Sequence, residues 1–491
     1  MSPGLVFTVI AAYFAMLLTI SYFTSRNADS DTFFTGNRQS PWYLVAFGMI
    51  GASLSGVTFI SVPGEVGNSQ FSYFQMVLGF VPGYAFIALV LMPLYYRLRL
   101  VSIYGYLEQR FGFFSYKTGA FFFLLSRLIG SSFRLFLVAS VLEIAFFNRF
   151  DLPFWFTVAV TILLIWLYTF RGGIKTIVWT DTIQTLFMLT AVVISIHLIS
   201  KELELSMGGM VKAIRDSEMS QVFFWDWQSG KNFFKQFVAG AFIAIVMTGL
   251  DQDMMQKNLT IKTLSDAQKN MKWFTVVLLI ANMLFLLLGA LLFLYAQAKN
   301  IDIPARTDDL FPTLAINHFD AYAGIVFLLG IIAAAYSSAD SALTALTTSF
   351  CVDFLGLGKK EATRDEAKNK LDDATRKRVH VLFSVLLFVV ILIFNAINDQ
   401  SVITAVYRVA GYTYGPLLGL YALGLYTKMR IKDRLVPWVC VVSPVMCYVI
   451  DSNSEQWFNG FKFGFFILIV NGLLTFSGLL LIRDRSADTA T

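Results

Sequence analysis

The sequence predicts an all-α integral membrane protein, and three observations carry that prediction. Hydrophobic residues make up 57% of the 491 residues and charged residues only 14%, far below the roughly 25% charge of a soluble domain. Apolar runs of about 20 residues, the length that crosses about 30 Å of hydrocarbon, recur along the whole chain. No stretch between them exceeds roughly 35 residues, too little for a separate soluble domain. Residues 1–491 therefore read as one membrane domain in a lipid bilayer.

In chain order, spans are expected near residues 4–23, 42–62, 72–96, 118–146, 153–170, 177–200, 234–250, 272–298, 320–350, 379–397, 402–427, 435–451 and 459–482, about thirteen helices in all. The first run, Leu5 to Phe23, has no preceding Lys or Arg and lacks a small-x-small cleavage site, so it is expected to stay as a span. Alternate loops hold roughly 26 Lys and Arg on the side of "YYRLRL", "KNLTIKTLSDAQKNMK" and the C-terminus, against roughly 9 opposite. That asymmetry predicts the N-terminus outside and the C-terminus inside. It also accounts for the net charge of +6 without a nucleic-acid partner. The mixed-charge run from Gly356 to Arg378 reads as a solvated cytoplasmic linker. Cys351, Cys440 and Cys447 are an odd, widely spaced set that specifies neither a disulfide framework nor a zinc site.

Two spans have weak helix propensity where lipid least tolerates open backbone. The second, "SPWYLVAFGMIGASLSGVTFISVPGEVG", carries Gly48, Gly51, Ser53, Ser55 and Gly56 in its middle and Pro63-Gly64 at its end. Unwound backbone there would border a cavity and offer carbonyls to a cation, whereas a packing seam between close helices is the plainer alternative. The seventh, "FKQFVAGAFIAIVMTGLDQDMMQK", has Gly240 early and ends in Gly249, Asp251 and Asp253. One half-protein later in the chain, it is a candidate partner of the second span in an inverted repeat.

The ninth span contains "IIAAAYSSADSALTALTTSF". Ser337, Ser341, Thr344 and Thr348 recur at spacings of four, three and four, forming one polar stripe on a helix, with Asp340 at its edge. A dehydrated small cation needs several oxygens at once, and an ionisable group inside a span is costly enough to indicate function. A second acid, Asp181, lies a few residues inside the sixth span, where pairing with Lys175 or Arg171 is the structural alternative.

These residues resemble the sodium:solute symporter family. The resemblance rests on "GASLSGVTFISVPG", "GGIKTIVWTD", "GLDQDMMQKNL" with "SDAQKNM", "AAAYSSADS" and "GPLLGLYALGLYTK", in order along nearly the whole chain. It implies a LeuT-type 5+5 inverted repeat with extra terminal helices. Residues 42–200 and 234–427 would be the repeats, with 4–23 an extra N-terminal helix and 435–482 two extra C-terminal ones. Sodium would be the coupling ion, with no other cofactor. The common sodium site would use carbonyls of Gly56, Phe59 and Ala334 and hydroxyls of Ser337 and Ser338. A second site, similar to that of sialic acid carriers, would use Asp181, Ser337, Asp340 and Ser341. Asp340 stands where those carriers have a hydroxyl, so two-sodium stoichiometry does not carry over.

Three arginines lie in spans: Arg127 and Arg134, seven apart on the fourth, and Arg408 in the eleventh. The guanidinium fork suits carboxylates, and Glu143 and Asp340 are the candidate structural partners. Arg134 matches a carboxylate-binding arginine of sialic acid carriers, and Arg408 matches a sugar-binding glutamine of sugar carriers. Met247 and Thr248 replace the aromatic pair that closes over a sugar ring. The expected substrate is a small organic anion near Thr58, Arg134 and Arg408, such as a sialic acid. A neutral solute, or a proton-coupled member using Asp340, is the alternative. With only His197, His318 and His380 and no catalytic motif, an enzyme is not expected. Channels usually assemble rings from repeated subunits, unlike this scattered set. The expected setting is the cell's inner or plasma membrane, with no oligomer required.

Overall fold

The computed structural model describes residues 3–25, 38–357, 366–397 and 401–484, and among them it contains helices but no strands beyond two isolated bridges. Among the described residues nine helices are long and apolar enough to cross a membrane, or up to eleven if each of two bent pairs is one span. The first, α1 (Pro3–Ser25), lies against α6 (Phe154–Glu202). Helix bonding in α6 is continuous through the residues expected to separate the fifth and sixth spans. Its 49 residues would extend about 73 Å at 1.5 Å per residue, too long for one crossing. Its apolar stretches are Phe154–Leu167 and Thr176–Glu202.

The second span is broken as expected. Helix α2 (Trp42–Ser53) stops at Leu54, and α3 (Gly56–Ser69) continues at an angle of 52°. The glycines divide between the two readings. A Cβ on Gly51 would stand 2.1 Å from Thr185 Oγ1, and one on Gly48 3.2 Å from Asp181 Cβ, so these two seat α2 directly on α6. The break falls beyond them, at Leu54–Ser55.

Helix α4 (Tyr73–Leu98) packs against α7 (Phe233–Gly249) with their backbones nearly touching. A Cβ on Gly79 would lie 2.0 Å from Phe237 O, and one on Gly240 2.1 Å from Met76 O. Gly240 therefore marks a seam. The seventh span breaks at Leu250–Asp251 and resumes as α8 (Gln252–Leu259), bent by 63°. Asp251 caps α8 by accepting the backbone N–H of Asp253 at 2.9 Å, as an N-cap acid does.

The remaining frame is α5 (Phe113–Ala145), α9 (Leu264–Ala298), α10 (Ala321–Phe354) and α11 (Glu366–Ile397). α11 begins inside the mixed-charge run expected to be a linker, part of which lies outside the described residues. The eleventh span is also interrupted, into α12 (Val402–Thr413) and α13 (Gly415–Tyr426), with Pro416 opening the second piece. Two helices close the chain, α14 (Val436–Ser452) and α15 (Ile467–Leu481). α10 packs most extensively on α6, and every residue from Gly330 to Ser349 is buried. All three cysteines are buried and free.

A buried carboxylate ties one end of the bundle. Asp308, between α9 and α10, accepts the Val402 N–H at 2.9 Å through Oδ2, while Oδ1 has no partner among the described residues. Burial pushes this carboxyl up from 3.8 to about 6. A folded-state pKa above the unfolded one means ionisation opposes folding, so stability is full below about pH 4 and declines as pH rises through about 6. Asp308→Asn is therefore expected to stabilise the protein at pH 8 by up to about 2–3 kcal/mol, read as a higher melting midpoint, and to change little near pH 3.5. A midpoint that stays unmoved at pH 8 would show that the charge is not the destabilising element.

Candidate ion and substrate site

The two helix breaks border one small central cavity of about 70 Å³. Ala52, Ser53 and Leu54 contribute from the first break, Met247 and Thr248 from just before the second, and Thr58 and Arg134 from α3 and α5. Tyr73, Phe80, Tyr84 and Tyr407 supply aromatic surface. Met247 and Thr248 thus do face the cavity, and the rings come from elsewhere. The volume holds on the order of two waters. A sugar-sized ligand requires the walls to part.

The two arginines of α5 have different surroundings. Arg127 is buried and paired with Asp253, with Asp251 at 3.8 Å. Its partners are therefore these two acids, not Glu143, which accepts from Thr157, and not Asp340. Arg134, two helical turns further on, lines the same cavity, and no acid or carbonyl among the described residues hydrogen-bonds its guanidinium. Its charge faces the space where a ligand would sit.

Arg408 is not brought to this cavity. It lies exposed in a vestibule of about 560 Å³, with Glu65, Lys231, Tyr412 and Asp451 among its neighbours. Tyr73 belongs to both walls, and its hydroxyl meets that of Tyr407 at 3.1 Å, so this pair stands between vestibule and cavity. Thr58 and Arg134 thus share one site, and Arg408 a different one.

The residues expected to hold the common sodium ion lie around the first break and on α10. A Cβ on Gly56 would lie 3.7 Å from Ala335 Cα, so the first turn of α3 rests on the backbone of α10. The Ser337 hydroxyl is fully buried and has no hydrogen-bond partner among the described residues, Ser338 donates to Ala335 O at 3.1 Å, and Phe59 and Ala334 are also buried. A buried hydroxyl without a partner is costly unless something coordinates it, so this first set suits a small cation. The second break offers no equivalent: Gly249 O and Leu250 O accept hydroxyls from Tyr95 and Tyr104 at 2.8 and 3.0 Å. Thr344 and Thr348, further along the stripe, also keep hydroxyls without a partner among the described residues.

The other acids are at least partly engaged within the protein, Asp181 through Oδ2 while its Oδ1 has no partner among the described residues. Asp181 binds Lys257 Nζ at 2.7 Å. The proposed alternatives Lys175 and Arg171 have side chains outside the described residues. Ser341 donates to Asp253 Oδ1, and Asp340 Oδ1 accepts the Ser341 N–H. Sequence reasoning missed Lys257 and Asp253 as site residues. Both lie on α8 with exposures of 1%, and their i,i+4 spacing on a helix following a break was the available signal.

The family model described as the sodium:solute symporter family matches residues 33–433, most of the chain. The chain belongs to that family. It is accordingly a sodium-coupled symporter and not an enzyme. A sodium/sialic acid symporter of Proteus mirabilis (strain HI4320) is 24% identical over 96% of this chain and 94% of its own length. One from Aliivibrio fischeri (strain ATCC 700601 / ES114) is 23% identical over 96% and 92%. Sodium-coupled monocarboxylate transporter 1 of Xenopus laevis is 25% identical over 84% and 67%. Among solved structures, a substrate-bound, outward-open Na+-coupled sialic acid symporter superposes with a TM-score of 0.80 at 20% identity, covering 97% of both chains. A nucleobase-cation-symport-1 family transporter superposes at 0.58 with 14% identity, over 92% and 94%. This symporter therefore shares their helical transporter fold.

Proposed function

We propose that this symporter imports a small organic anion bearing a carboxylate together with sodium, by alternating access. The observation that carries the reading is Arg134, whose guanidinium lines the central cavity with no acid paired to it among the described residues, while Arg127 beside it is neutralised. A bidentate carboxylate would supply what Arg134 lacks, with Thr58 as a neighbouring hydroxyl. Relatives named for sialic acids and monocarboxylates support the same substrate class. Arg408 is an exposed cation in the vestibule through which such an anion would pass.

Sodium would bind where α3 meets α10, through carbonyls of Gly56, Phe59 and Ala334 and the hydroxyls of Ser337 and Ser338. Bound there, it stabilises the substrate-binding conformation, and linkage makes each ligand favour the other. Its inward movement supplies roughly 2.3 kcal/mol per charge per 100 mV. The paired breaks, in α2–α3 and α7–α8, support residues 42–200 and 234–427 as inverted repeats, with 4–23 and 435–482 outside them. About thirteen crossings, N-terminus outside and C-terminus inside, in the inner or plasma membrane, fit this arrangement. No second subunit is needed to build the site.

The test is uptake into proteoliposomes under an imposed sodium gradient, screening sialic acids, monocarboxylates, proline and sugars. Carboxylates are expected to respond. A response confined to neutral solutes, or to a proton gradient, would overturn the reading. Ser337→Ala is expected to raise the sodium concentration for half-maximal uptake roughly tenfold or more, since one ligand of a dehydrated ion is worth about 1–3 kcal/mol. Unchanged sodium dependence would remove Ser337 from the site.

A further inference from the structure

The second set of residues matched to a sodium site, Asp181, Ser337, Asp340 and Ser341, does not form an open cage of oxygens. Lys257 reaches from α8 to α6 and sets its Nζ 2.7 Å from Asp181 Oδ2, with the two side chains 1% and 0% exposed. Ser341 donates its hydroxyl to Asp253, which is itself paired with Arg127. Asp340 accepts the adjacent backbone N–H. Two of the four members are thus held by groups tied to α8.

A second sodium beside Asp181 would have to share that carboxylate with a buried ammonium. Like charges in contact repel strongly where water is scarce, and displacing Lys257 would leave its charge buried without a partner. The protein already provides one positive charge at this position, permanently attached.

We infer that Lys257 serves as the resident cation at Asp181 in place of a second sodium, so that this symporter couples one sodium ion per substrate. The inference rests on the sodium–anion symport proposed above and determines its electrical character. A monoanion moving with one sodium carries no net charge, whereas two sodium ions would carry one positive charge inward per cycle. Lys257 would then be the residue that sets ion stoichiometry.

Equilibrium binding of radioactive sodium to the purified full-length protein tests this without any substrate. One ion per chain is expected for the wild type and for Lys257→Arg, which keeps the charge, and two for Lys257→Met, which frees Asp181. Removing both charges in Asp181→Asn with Lys257→Met should return the count to one, and that neutral variant guards against misfolding of the single one. Two ions on the wild-type chain would overturn the inference, and so would a folded Lys257→Met that still binds one. In proteoliposomes at zero voltage, an imposed roughly tenfold sodium gradient should be balanced by a roughly tenfold gradient of N-acetylneuraminate or pyruvate, rather than a hundredfold one. Absence of sodium-driven uptake for every carboxylate would defeat the proposed function, and the binding count would still decide this inference.

Discussion

Arg134→Ala is expected to abolish sodium-driven carboxylate uptake while leaving the folded protein and its sodium binding intact. Among the described residues no acid is paired with this guanidinium, so truncation breaks no ion pair there. What disappears is the charged partner of the substrate, worth about 2–4 kcal/mol, or roughly 30- to 1,000-fold in apparent affinity. Arg134→Lys should fall between, because an ammonium keeps the charge but not the two-point fork. Arg127 supplies the contrast from the same helix. Its replacement by Ala exposes Asp251 and Asp253 to each other, and should lower the melting midpoint before any transport effect is measured. If Arg134→Ala left the uptake of every carboxylate unchanged, the anion reading of the cavity would fail.

The sequence exposes the break points and the cation stripe because both are local. Weak propensity within a span is visible in neighbouring residues, and the alternation of Ser and Thr on α10 follows from helical spacing alone. The function of individual glycines was less legible. Gly48, Gly51 and Gly240 serve contact between helices, and only the surroundings of each absent Cβ distinguish that from unwinding. The ion pairs were hidden for a related reason. Arg127 and Asp253 are 126 positions apart, Asp181 and Lys257 76, and no spacing rule links residues on separate helices. Lys257 counted as an inner-loop charge because α8 reads as polar, although packing buries it completely. Arg408 and Arg134 looked alike as arginines within spans. Their separation into vestibule and cavity depends on how α12 lies against α5, which the tyrosine pair at Tyr73 and Tyr407 makes visible.

Asp253→Ala should produce the largest loss of stability. Asp253 sits where three helices meet: its carboxylate pairs with Arg127 on α5 and accepts the Ser341 hydroxyl from α10, while it belongs to α8. Removing it leaves Arg127 facing only Asp251, at 3.8 Å, and that acid is already occupied by the α8 cap and by the Tyr414 hydroxyl at 2.6 Å. Breaking one side of a buried pair costs about 3–5 kcal/mol, mostly because the other charge stays behind without compensation. The reverse argument makes the effect testable. Arg127→Met combined with Asp253→Leu removes both charges and refills the volume, so it should recover most of the melting midpoint lost in Asp253→Ala. A double variant as unstable as the single one would mean that α8 is held by packing rather than by this pair. Recovery of stability with impaired transport would instead show that the charged junction serves the movement of α8 against α5 and α10, since an apolar contact restores cohesion without restoring a pair that can separate into water.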